Sequence, residues 1–502
     1  MRQIEKYGIF EQIFSCETIE LYKENCITFV KDDTEVTTGA FCMGGQMAVR
    51  FMPMTEGIWT CRNELTGTEE IFEVVANTGD NHGPVYAKKD HFYYADGKRF
   101  VPFGTTCYAW TNQPKELQDE TIKTLAGAPF NKIRMCVFPK SMPYNNNEPD
   151  MFAFESAGDE LWNVKAPVEA FWQNLDLRLL QLQQLGIEAD LIVFHPYDRW
   201  GFAKMSQEDS MFYLNYLIYR YGAYRNLWWS LANEYETIYY KTMQNWDEYG
   251  STLQEKDIYH HLISVHDIMM VYPDRPWLTH CSIQSGSFDL IKKHKESHGN
   301  KPVMMDEFGY EGNIEYDWGN KSAYYEMESF WHIMLRGGYA THGETFHRDD
   351  EVLWWAKGGK LYGKSPERIA FLKEIISEFP EEWRVADKGL VNPNLDELSE
   401  EARAQAQFWM KLLDQADEEA KFGFWCGTTP LAIEADDMYL QYVGRGCARV
   451  VALKLSKKKQ YEVEVIDAWN MTRTKLEGLF SGDFQVPLPA KNGIAVLARS
   501  VS

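Results

Sequence analysis

The chain has 502 residues, 45% of them hydrophobic and 15% aromatic, which is enough for one large domain with one or two smaller ones. Its formal net charge of −23 argues against nucleic acid or an anionic membrane as a partner, because neither attracts a strongly negative protein. No segment has the apolar length of a membrane span or a signal peptide, and the nine scattered cysteines indicate reduced thiols, so we expect a cytoplasmic protein with a small imported substrate.

The first part of the chain, residues 1–84, carries short apolar runs separated by turn residues. Residues 26–30 and 46–51 are examples, and both alternate as half-buried strands do. This pattern predicts a small N-terminal β-sandwich. The turn-rich residues 77–84 predict a linker at its end.

From residue 85 to 385 the pattern changes to strands alternating with helices. Eight strand–helix units in a segment of this length predict an α/β fold, a (β/α)₈ TIM barrel. The predicted strands lie at 100–104, 131–137, 189–194, 227–234, 261–265, 276–280, within 301–310 and at 338–341. The predicted helices lie at 116–126, 168–185, 211–221, 324–336 and 366–378.

The last part, residues 386–502, differs from the barrel segment. Residues 396–419 are charged and helical in pattern, and residues 420–502 return to β-patterned runs. We therefore expect a helical connection followed by a small C-terminal β-sandwich that packs on the barrel. The flanking sandwiches could bind sugar, cap the barrel or mediate oligomerisation. We favour the last two roles, which leaves a homo-oligomer open.

Two apolar runs within the predicted barrel each end on a glutamate, Glu234 and Glu307. Apolar runs of this length are typical of strands that are buried on both faces. A carboxylate at the C-terminal end of a barrel strand lies where catalytic groups gather. Glycosidic bond cleavage needs two such groups, one to transfer protons and one to attack or stabilise the sugar cation. The pair therefore predicts a glycosidase.

Together with Arg134 on strand two, Asn233 and Glu234 on strand four and Glu307 on strand seven resemble glycoside hydrolase clan A, the retaining (β/α)₈ glycosidases. The resemblance implies that Glu234 is the acid/base and that Glu307 is the nucleophile. It also implies that Asn233 contacts the sugar 2-hydroxyl and that Arg134 orients the nucleophile. In its three-part layout the whole chain is similar to a bacterial group of glycosidase-like proteins with flanking domains of unknown function.

The retaining mechanism requires one protonated and one ionised glutamate. Arg134 would keep Glu307 ionised, and burial beside the Trp-rich strand four would keep Glu234 protonated. Glu236 is the alternative acid/base, because it lies two residues beyond Glu234. Asp306 is expected to point to the opposite face of its strand and to be structural.

Five histidines fall at or after predicted strands, namely His195, His266, His280, His342 and His347. Such a cluster could hold a metal, but the His-x-His expected near strand one is absent and no ligand spacing recurs, so we predict neither a metal nor another cofactor. Candidate sugar-binding residues are His195, Tyr197, His266, Tyr310 and His342. For each histidine the competing interpretation is a structural role within the fold.

Tryptophans after strands one and eight could stack on a sugar, because the apolar face of a sugar packs on an aromatic ring. The candidates are Trp110, Trp354 and Trp355, and ordinary loop packing is the competing interpretation.

The sequence thus predicts a retaining glycoside hydrolase that cleaves a small glycoside or oligosaccharide by double displacement. A transglycosylase or a phosphorylase-like enzyme could use the same pair. A protein of another class, a non-catalytic carbohydrate-binding or scaffold protein, would require that the barrel has lost its activity. Glu234, Glu307 and Arg134 are all present, which argues against that loss.

Overall fold

The computed structural model of the protein describes residues 1–386, 395, 398–428 and 430–501. By its internal contacts the chain divides into two compact units. The first comprises Met1–Gly286, Lys293–Glu326 and Gly338–Ala370, and the second comprises Ser287–Lys292, Met327–Gly337 and Phe371–Ser502. The domain boundaries that the sequence suggests, at residues 84 and 385, stay predictions.

The N-terminal part of the first unit is a seven-stranded sheet in the order β1-β7-β6-β3-β4-β5-β2, antiparallel except between β1 and β7. Its strands are β1 Arg2–Glu5, β2 Phe10–Phe14, β3 Tyr22–Lys31, β4 Thr34–Met43, β5 Gln46–Phe51, β6 Gly57–Asn63 and β7 Thr68–Val75. The sheet has an apolar core of its own, in which Phe29 stacks on Phe51 with ring centres 4.0 Å apart. The predicted strands in this region are present, and the sandwich assignment stays a prediction.

Eight parallel strands form the centre of the first unit, in the order β17-β16-β15-β12-β11-β21-β19-β18. A bridge between His266 and Ser282 joins the two ends of this order and closes the sheet into a TIM-barrel-like α/β fold. The elements from residue 85 onward are β8 Val85–Lys88, β9 His91–Tyr94, β10 Arg99–Phe100, β11 Phe103–Thr106, α1 Lys115–Gly127, β12 Lys132–Cys136, β13 Phe154–Gly158, β14 Leu161–Pro167, α2 Glu169–Gln184, β15 Glu188–Phe194, α3 Gln207–Tyr221, β16 Leu227–Ala232, α4 Met243–Lys256, β17 Ile263–Ser264, β18 Cys281–Gln284, α5 Ile291–Ser297, β19 Val303–Glu307, β20 Glu311–Gly312, α6 Ala323–Leu335, β21 Tyr339–His342, β22 Glu344–Thr345, α7 Trp354–Lys357 and α8 Ser365–Ser377.

Seven of the eight predicted barrel strands overlap strands of the structure, and the prediction of the sixth is wrong. It was expected at 276–280, whereas the strand is β18. Trp277 and Leu278 are buried as a strand's residues would be, but they lie in a loop. The Trp277 ring packs beside Gly250, where a Cβ would lie only 2.3 Å from it. The apolar run therefore reflects packing against α4 without strand pairing.

A buried ion network joins the N-terminal sheet to the barrel helices within the first unit. Arg50 of β5 donates to Asp176 of α2 at 2.7 Å and to the carbonyl of Arg220 at 3.0 Å. Arg220 of α3 in turn pairs with Asp176 at 2.8 Å and with Glu169 at 3.0 Å. Since both guanidinium groups are almost wholly buried, each depends on these carboxylates for its compensation.

The second unit contains two antiparallel sheets, β23-β24-β25-β30-β27-β28 and β26-β29. Its elements beyond the barrel helices are β23 Arg384–Val385, α9 Glu400–Gln415, α10 Glu418–Thr428, β24 Leu431–Glu434, β25 Met438–Tyr442, β26 Val450–Lys454, β27 Gln460–Asp467, β28 Thr472–Lys475, β29 Asp483–Pro487 and β30 Ile494–Val501. Leu453 and Val486 of the small sheet share one apolar core with Val463 and Val496 of the large one. Of the predicted helix at 396–419, residues 396 and 397 lie outside the described residues.

Residues of α6 and α8 that belong to the second unit contact its sheets. Trp331 stacks on Tyr442 with ring centres 5.0 Å apart. Glu328 pairs with Arg445 at 3.1 Å, and Glu378, just after α8, pairs with Arg473. Among the described residues, no helix is both long and apolar enough to cross a membrane.

Candidate active site

A cavity of about 650 Å³ lies at the C-terminal ends of the barrel strands. Glu234, which follows β16, and Glu307, which ends β19, both line it. Three further predicted residues, Tyr197, Tyr310 and Trp355, line the same cavity. The structure therefore brings the two glutamates together in one concave site.

Glu307 is surrounded by hydrogen-bond donors. It accepts a hydrogen bond from Nη1 of Arg134 at 3.1 Å and another from the hydroxyl of Tyr108. Burial alone would raise the pKa of Glu307, but the charges of His266, Arg134 and Lys140 outweigh it and lower that pKa. His266 has a pKa lowered to about 3, chiefly by burial, and is neutral near pH 7. We therefore attribute the ionised state of Glu307 at neutral pH to Arg134 and Lys140.

An irregularity in β19 separates the roles of its last two residues. Met305 pairs with Ile283 and Glu307 pairs with Gln284, so Asp306 is an extra residue between two pairs, as in a β-bulge. Asp306 points into the barrel, where it accepts hydrogen bonds from Lys132 at 3.0 Å and from Ser282 and Thr341 at 2.6 Å. Burial alone would raise the pKa of Asp306, but the charges of Lys132 and Arg134 outweigh it and lower that pKa. The expectation that Asp306 is structural agrees with this environment.

Glu234 occupies a different environment from Glu307. Its side chain accepts a hydrogen bond from the hydroxyl of Tyr197, and its backbone N–H points at Nδ1 of His266 at 3.4 Å. Burial, followed by the charge on Glu307, raises the pKa of Glu234 to about 7. At neutral pH the cavity can thus hold one ionised glutamate and one that still carries its proton.

Asn233 and Arg134 lie beneath the two glutamates. The Oδ1 atom of Asn233 accepts a hydrogen bond from Nη2 of Arg134 at 3.0 Å and lies 3.0 Å from the hydroxyl oxygen of Tyr108, whose single proton is donated to Glu307. The buried Nδ2 atom of Asn233 has no hydrogen-bond partner among the described residues. The contact with a sugar hydroxyl, which the resemblance implies for Asn233, stays a prediction.

The three predicted sugar-binding histidines lie in three environments. His266 is buried beneath the glutamates, with Nε2 3.8 Å from Glu307. His195 is buried behind the cavity, where Nε2 lies 3.3 Å from the carbonyl of Phe138, and burial with the charge of Lys140 lowers its pKa to about 3. His342 lies on the outer side of the barrel, stacked on Phe130 and 3.1 Å from the Thr105 hydroxyl.

The cavity is not lined by seven of the predicted substrate-binding residues, and their roles stay predictions: Arg134, Asn233, His195, His266, His342, Trp110 and Trp354. His342 lies on the outer side of the barrel, where its ring stacks on Phe130. Trp110 is fully buried in the core beside the barrel. Trp354 is buried as well and donates from its ring nitrogen to Thr105 at 2.8 Å, whereas its neighbour Trp355 lines the cavity. Trp110 and Trp354 thus pack within the fold, whereas Trp355 is placed to contact a ligand in the cavity.

Sequence reasoning missed several residues of the site. Lys140, Tyr316 and Trp318 line the cavity, and the buried Tyr108 is hydrogen-bonded to Glu307. Tyr316 and Trp318 stack on each other with their planes 6° apart and form an aromatic wall. Lys140 lies in the loop after β12, and Tyr108 follows β11. The position of Tyr108 just after a strand could have indicated it, while nothing in the sequence around Lys140 marks it as buried.

Glu236, the alternative acid/base, is used elsewhere. Its carboxylate accepts the backbone N–H groups of Ile268, Met269 and Met270 at 2.9, 3.0 and 2.7 Å. It therefore joins the segment after β16 to the loop after β17 and does not line the cavity. Nor does any group of three or more His, Cys, Asp or Glu side chains suited to a metal occur in the described part of the chain.

The comparisons with known proteins agree with this geometry. The model of a family described as Apiosidase-like, catalytic domain, matches residues 87–416. The chain belongs to the Apiosidase-like family. Residues 426–499 match a second model, the domain of unknown function DUF5605.

Solved structures extend the comparison over the whole chain. The crystal structure of a candidate glycoside hydrolase from Bacteroides vulgatus ATCC 8482 is 32% identical and covers 100% of both chains, with a TM-score of 0.87. A glycoside hydrolase family 5 structure from the same organism covers 84% of this chain and 93% of its own, with 14% identity and a TM-score of 0.59, and supports the fold alone. No curated protein matches the sequence. From its family and its 32% identical relative, this member of the Apiosidase-like family is a glycoside hydrolase.

Proposed function

We propose that this enzyme hydrolyses a small glycoside with retention of the anomeric configuration, with Glu307 as nucleophile and Glu234 as acid/base. The observation that carries the proposal is the opposite effect of the site on the two carboxyls. Arg134 and Lys140 keep Glu307 ionised, while burial and the neighbouring carboxylate raise the pKa of Glu234 to about 7. Double displacement requires this difference in protonation.

In the first step, a carboxylate oxygen of Glu307 bonds to the anomeric carbon while Glu234 gives its proton to the glycosidic oxygen. The bond between the anomeric carbon and that oxygen breaks, and the leaving alcohol departs. In the second step, Glu234 takes a proton from water, and the water oxygen displaces Glu307 from the sugar. Asn233 can donate its Nδ2 hydrogens to a hydroxyl beside the reacting carbon throughout.

The cavity suggests a substrate of one or two sugar units. Its volume of about 650 Å³ is within the range of about 300–1,000 Å³ for small-molecule sites. Tyr316, Trp318 and Trp355 offer ring faces to the apolar side of a sugar. Because the family is named Apiosidase-like, aryl apiosides belong in the substrate panel with common pyranosides and furanosides.

The proposal also covers the two β-rich parts that flank the barrel and the cellular location of the enzyme. We propose that both flanking β-rich parts are sandwiches that cap the barrel or mediate self-association. Eight described cysteines are free thiols, which is consistent with a cytoplasmic enzyme. No feature of the site favours transfer to another sugar over transfer to water.

The stereochemistry of the first product tests the mechanism. An aryl glycoside found in the panel is hydrolysed in an NMR tube, and the anomeric signal is followed before mutarotation. Retention is expected, and activity should survive exhaustive EDTA treatment because the carboxyl pair supplies both chemical roles. An inverted first product would show that Glu307 activates water instead of forming a covalent intermediate. Loss of activity in EDTA that added zinc reverses would move the chemistry away from the glutamates.

A further inference from the structure

Lys140 is a buried lysine that lines the cavity, and the double displacement above uses it only to help keep Glu307 ionised. The residue is 2% exposed. The ammonium lies 3.2 Å from the ring centre of Tyr108, 4.3 Å from that of Tyr197 and 5.5 Å from that of Trp355. Contacts of this kind attract a cation to the face of an aromatic ring. Within the described residues, no carboxylate forms an ion pair with it.

The two closest rings belong to the tyrosines that hold the two glutamates. The hydroxyl of Tyr108 donates to Glu307, and the hydroxyl of Tyr197 donates to Glu234. One ammonium therefore contacts both phenol rings, and each phenol connects it to a different carboxyl group. The tyrosines come from the loops after β11 and β15, so the lysine bridges two separate parts of the barrel rim.

We propose that Lys140 is a positioning residue for both glutamates: its ammonium fixes the rings of Tyr108 and Tyr197 and faces the negative charge that Glu234 acquires when it gives up its proton. This inference rests on the proposed function. It assigns Lys140 a role beyond filling space, because a neutral side chain of the same length could pack against the rings but could not stabilise the carboxylate of Glu234.

The charges around the site fix the direction of the expected effect. Glu234 faces Glu307 from β19, Lys140 and Arg134 from β12 and its loop, and Tyr197 from the loop after β15. Burial and Glu307 raise the pKa of Glu234, whereas Lys140 lowers it. Lys140 itself faces Cys136, Glu307, Glu234 and Arg134, and burial lowers its own pKa. Removal of the positive charge should therefore make Glu234 hold its proton to higher pH.

The test is the pH dependence of kcat/KM on an aryl glycoside for wild type, Lys140→Met and Lys140→Arg. The alkaline limb reports the loss of the proton from the acid/base in the free enzyme. We expect Lys140→Met to move this limb upward by about one pH unit or more, because a unit charge is only partly screened in a buried site. Lys140→Arg keeps the charge and should restore a limb close to that of wild type.

The matched control is Lys165→Met. The Lys165 ammonium also lies over a ring, 4.3 Å from the centre of Phe212, but Lys165 is exposed on β14 and does not line the cavity. Its profile should coincide with that of wild type. Circular dichroism and thermal melting establish that each variant is folded.

An alkaline limb that stays in place in folded Lys140→Met would overturn the inference while leaving the glycosidase proposal intact. Should Lys140→Met fail to fold, Lys140→Gln carries the same expectation. If both neutral variants fail to fold and Lys140→Arg folds, the cation serves the stability of the barrel and the positioning role is refuted. A wild-type enzyme that cleaves no glycoside in the panel would remove the proposed function and this inference with it.

Discussion

The backbone of Glu234 is left-handed, with φ 50° and ψ 56°, which is uncommon for any residue other than glycine. A short 3₁₀ turn begins immediately after it, and the hydroxyl of Thr237 donates to its carbonyl at 2.8 Å. Such a conformation costs of order 1–3 kcal/mol and persists where the surroundings enforce it. The direction of the Glu234 side chain is therefore set largely by the backbone, which would limit how far the proposed acid/base moves away from a leaving oxygen.

At this scale the first prediction separates the roles of the two glutamates. Glu234→Ala should slow glycosides with basic leaving groups by about 10²–10⁴-fold and aryl glycosides with acidic phenols far less, because only a basic leaving oxygen needs a proton. The measurement is kcat/KM across a series of phenols of graded pKa. Glu307→Gln should abolish turnover of every member of the series without loss of folding.

Two outcomes would contradict these assignments. Equal losses for good and poor leaving groups in Glu234→Ala would remove Glu234 from the acid/base role. Substantial turnover by Glu307→Gln would mean that another group attacks the sugar.

The proposed catalytic and positioning residues could be picked from the sequence because each follows or lies on a buried strand, whose end the apolar pattern marks. Glu234, Glu307, Arg134 and Asn233 are of this kind. Lys140 could not be found in this way, because its burial depends on the path of a loop that no periodicity describes. Trp354 and Trp355 show the same limit, since the short helix α7 turns one ring into the core and the next into the cavity.

At the scale of elements, the positions of most barrel strands followed from their apolar runs, and the errors have a common cause. The run at 276–280 is buried but unpaired, and its neighbour β18 contains the polar residues Ser282 and Gln284. An apolar run in the sequence predicts that its residues are buried. Whether they form a strand depends on backbone hydrogen bonds to a partner strand elsewhere in the chain, which the run does not reveal. The polar helix α4 was missed for a related reason, because only a few of its residues face the core.

The network between the N-terminal sheet and the barrel helices gives a prediction at this scale. Asp176→Asn should lower the free energy of unfolding by about 3–5 kcal/mol, because it leaves Arg50 and Arg220 buried without their shared carboxylate. Chemical denaturation at pH 7 measures the loss. The control is Asp119→Asn, whose carboxylate is 46% exposed beside Arg178, and which should cost about 1 kcal/mol or less.

The same network predicts how stability depends on pH. Burial alone would raise the pKa of Asp176, but Arg50 and Arg220 outweigh it and lower that pKa in the folded protein. The stabilisation is therefore present above the unfolded pKa of about 3.9 and is lost as the pH falls through the lower folded value. Wild type should lose its advantage over Asp176→Asn in acid, and a difference that does not change with pH would contradict the ion-pair account.

At the scale of the whole molecule, the C-terminal sheets are expected to be necessary for folding of the helices that they contact. Trp331 of α6 is fully buried and stacks on Tyr442, while Glu328 and Glu378 pair with arginines of the C-terminal part. A chain that ends at residue 429 would expose this ring and leave both carboxylates unpaired. We expect it to melt at a lower temperature than the full chain and to lose activity, as measured by calorimetry and turnover.

A shortened chain with an unchanged melting temperature would contradict this expectation. The full-length variant Tyr442→Leu provides the intermediate case, because it removes the ring stack but keeps the salt bridges.

The carboxylate of Glu236 gathers three successive N–H groups from the loop after β17, and the first residue of that loop segment, Ile268, lines the cavity. Glu236 thus fixes the backbone of a loop that forms part of the cavity wall, although its own side chain does not line the cavity. Glu236 is therefore the first position to vary in order to obtain an enzyme that accepts bulkier aglycones. It offers a way to reshape access while Glu234, Glu307 and their tyrosines keep their geometry.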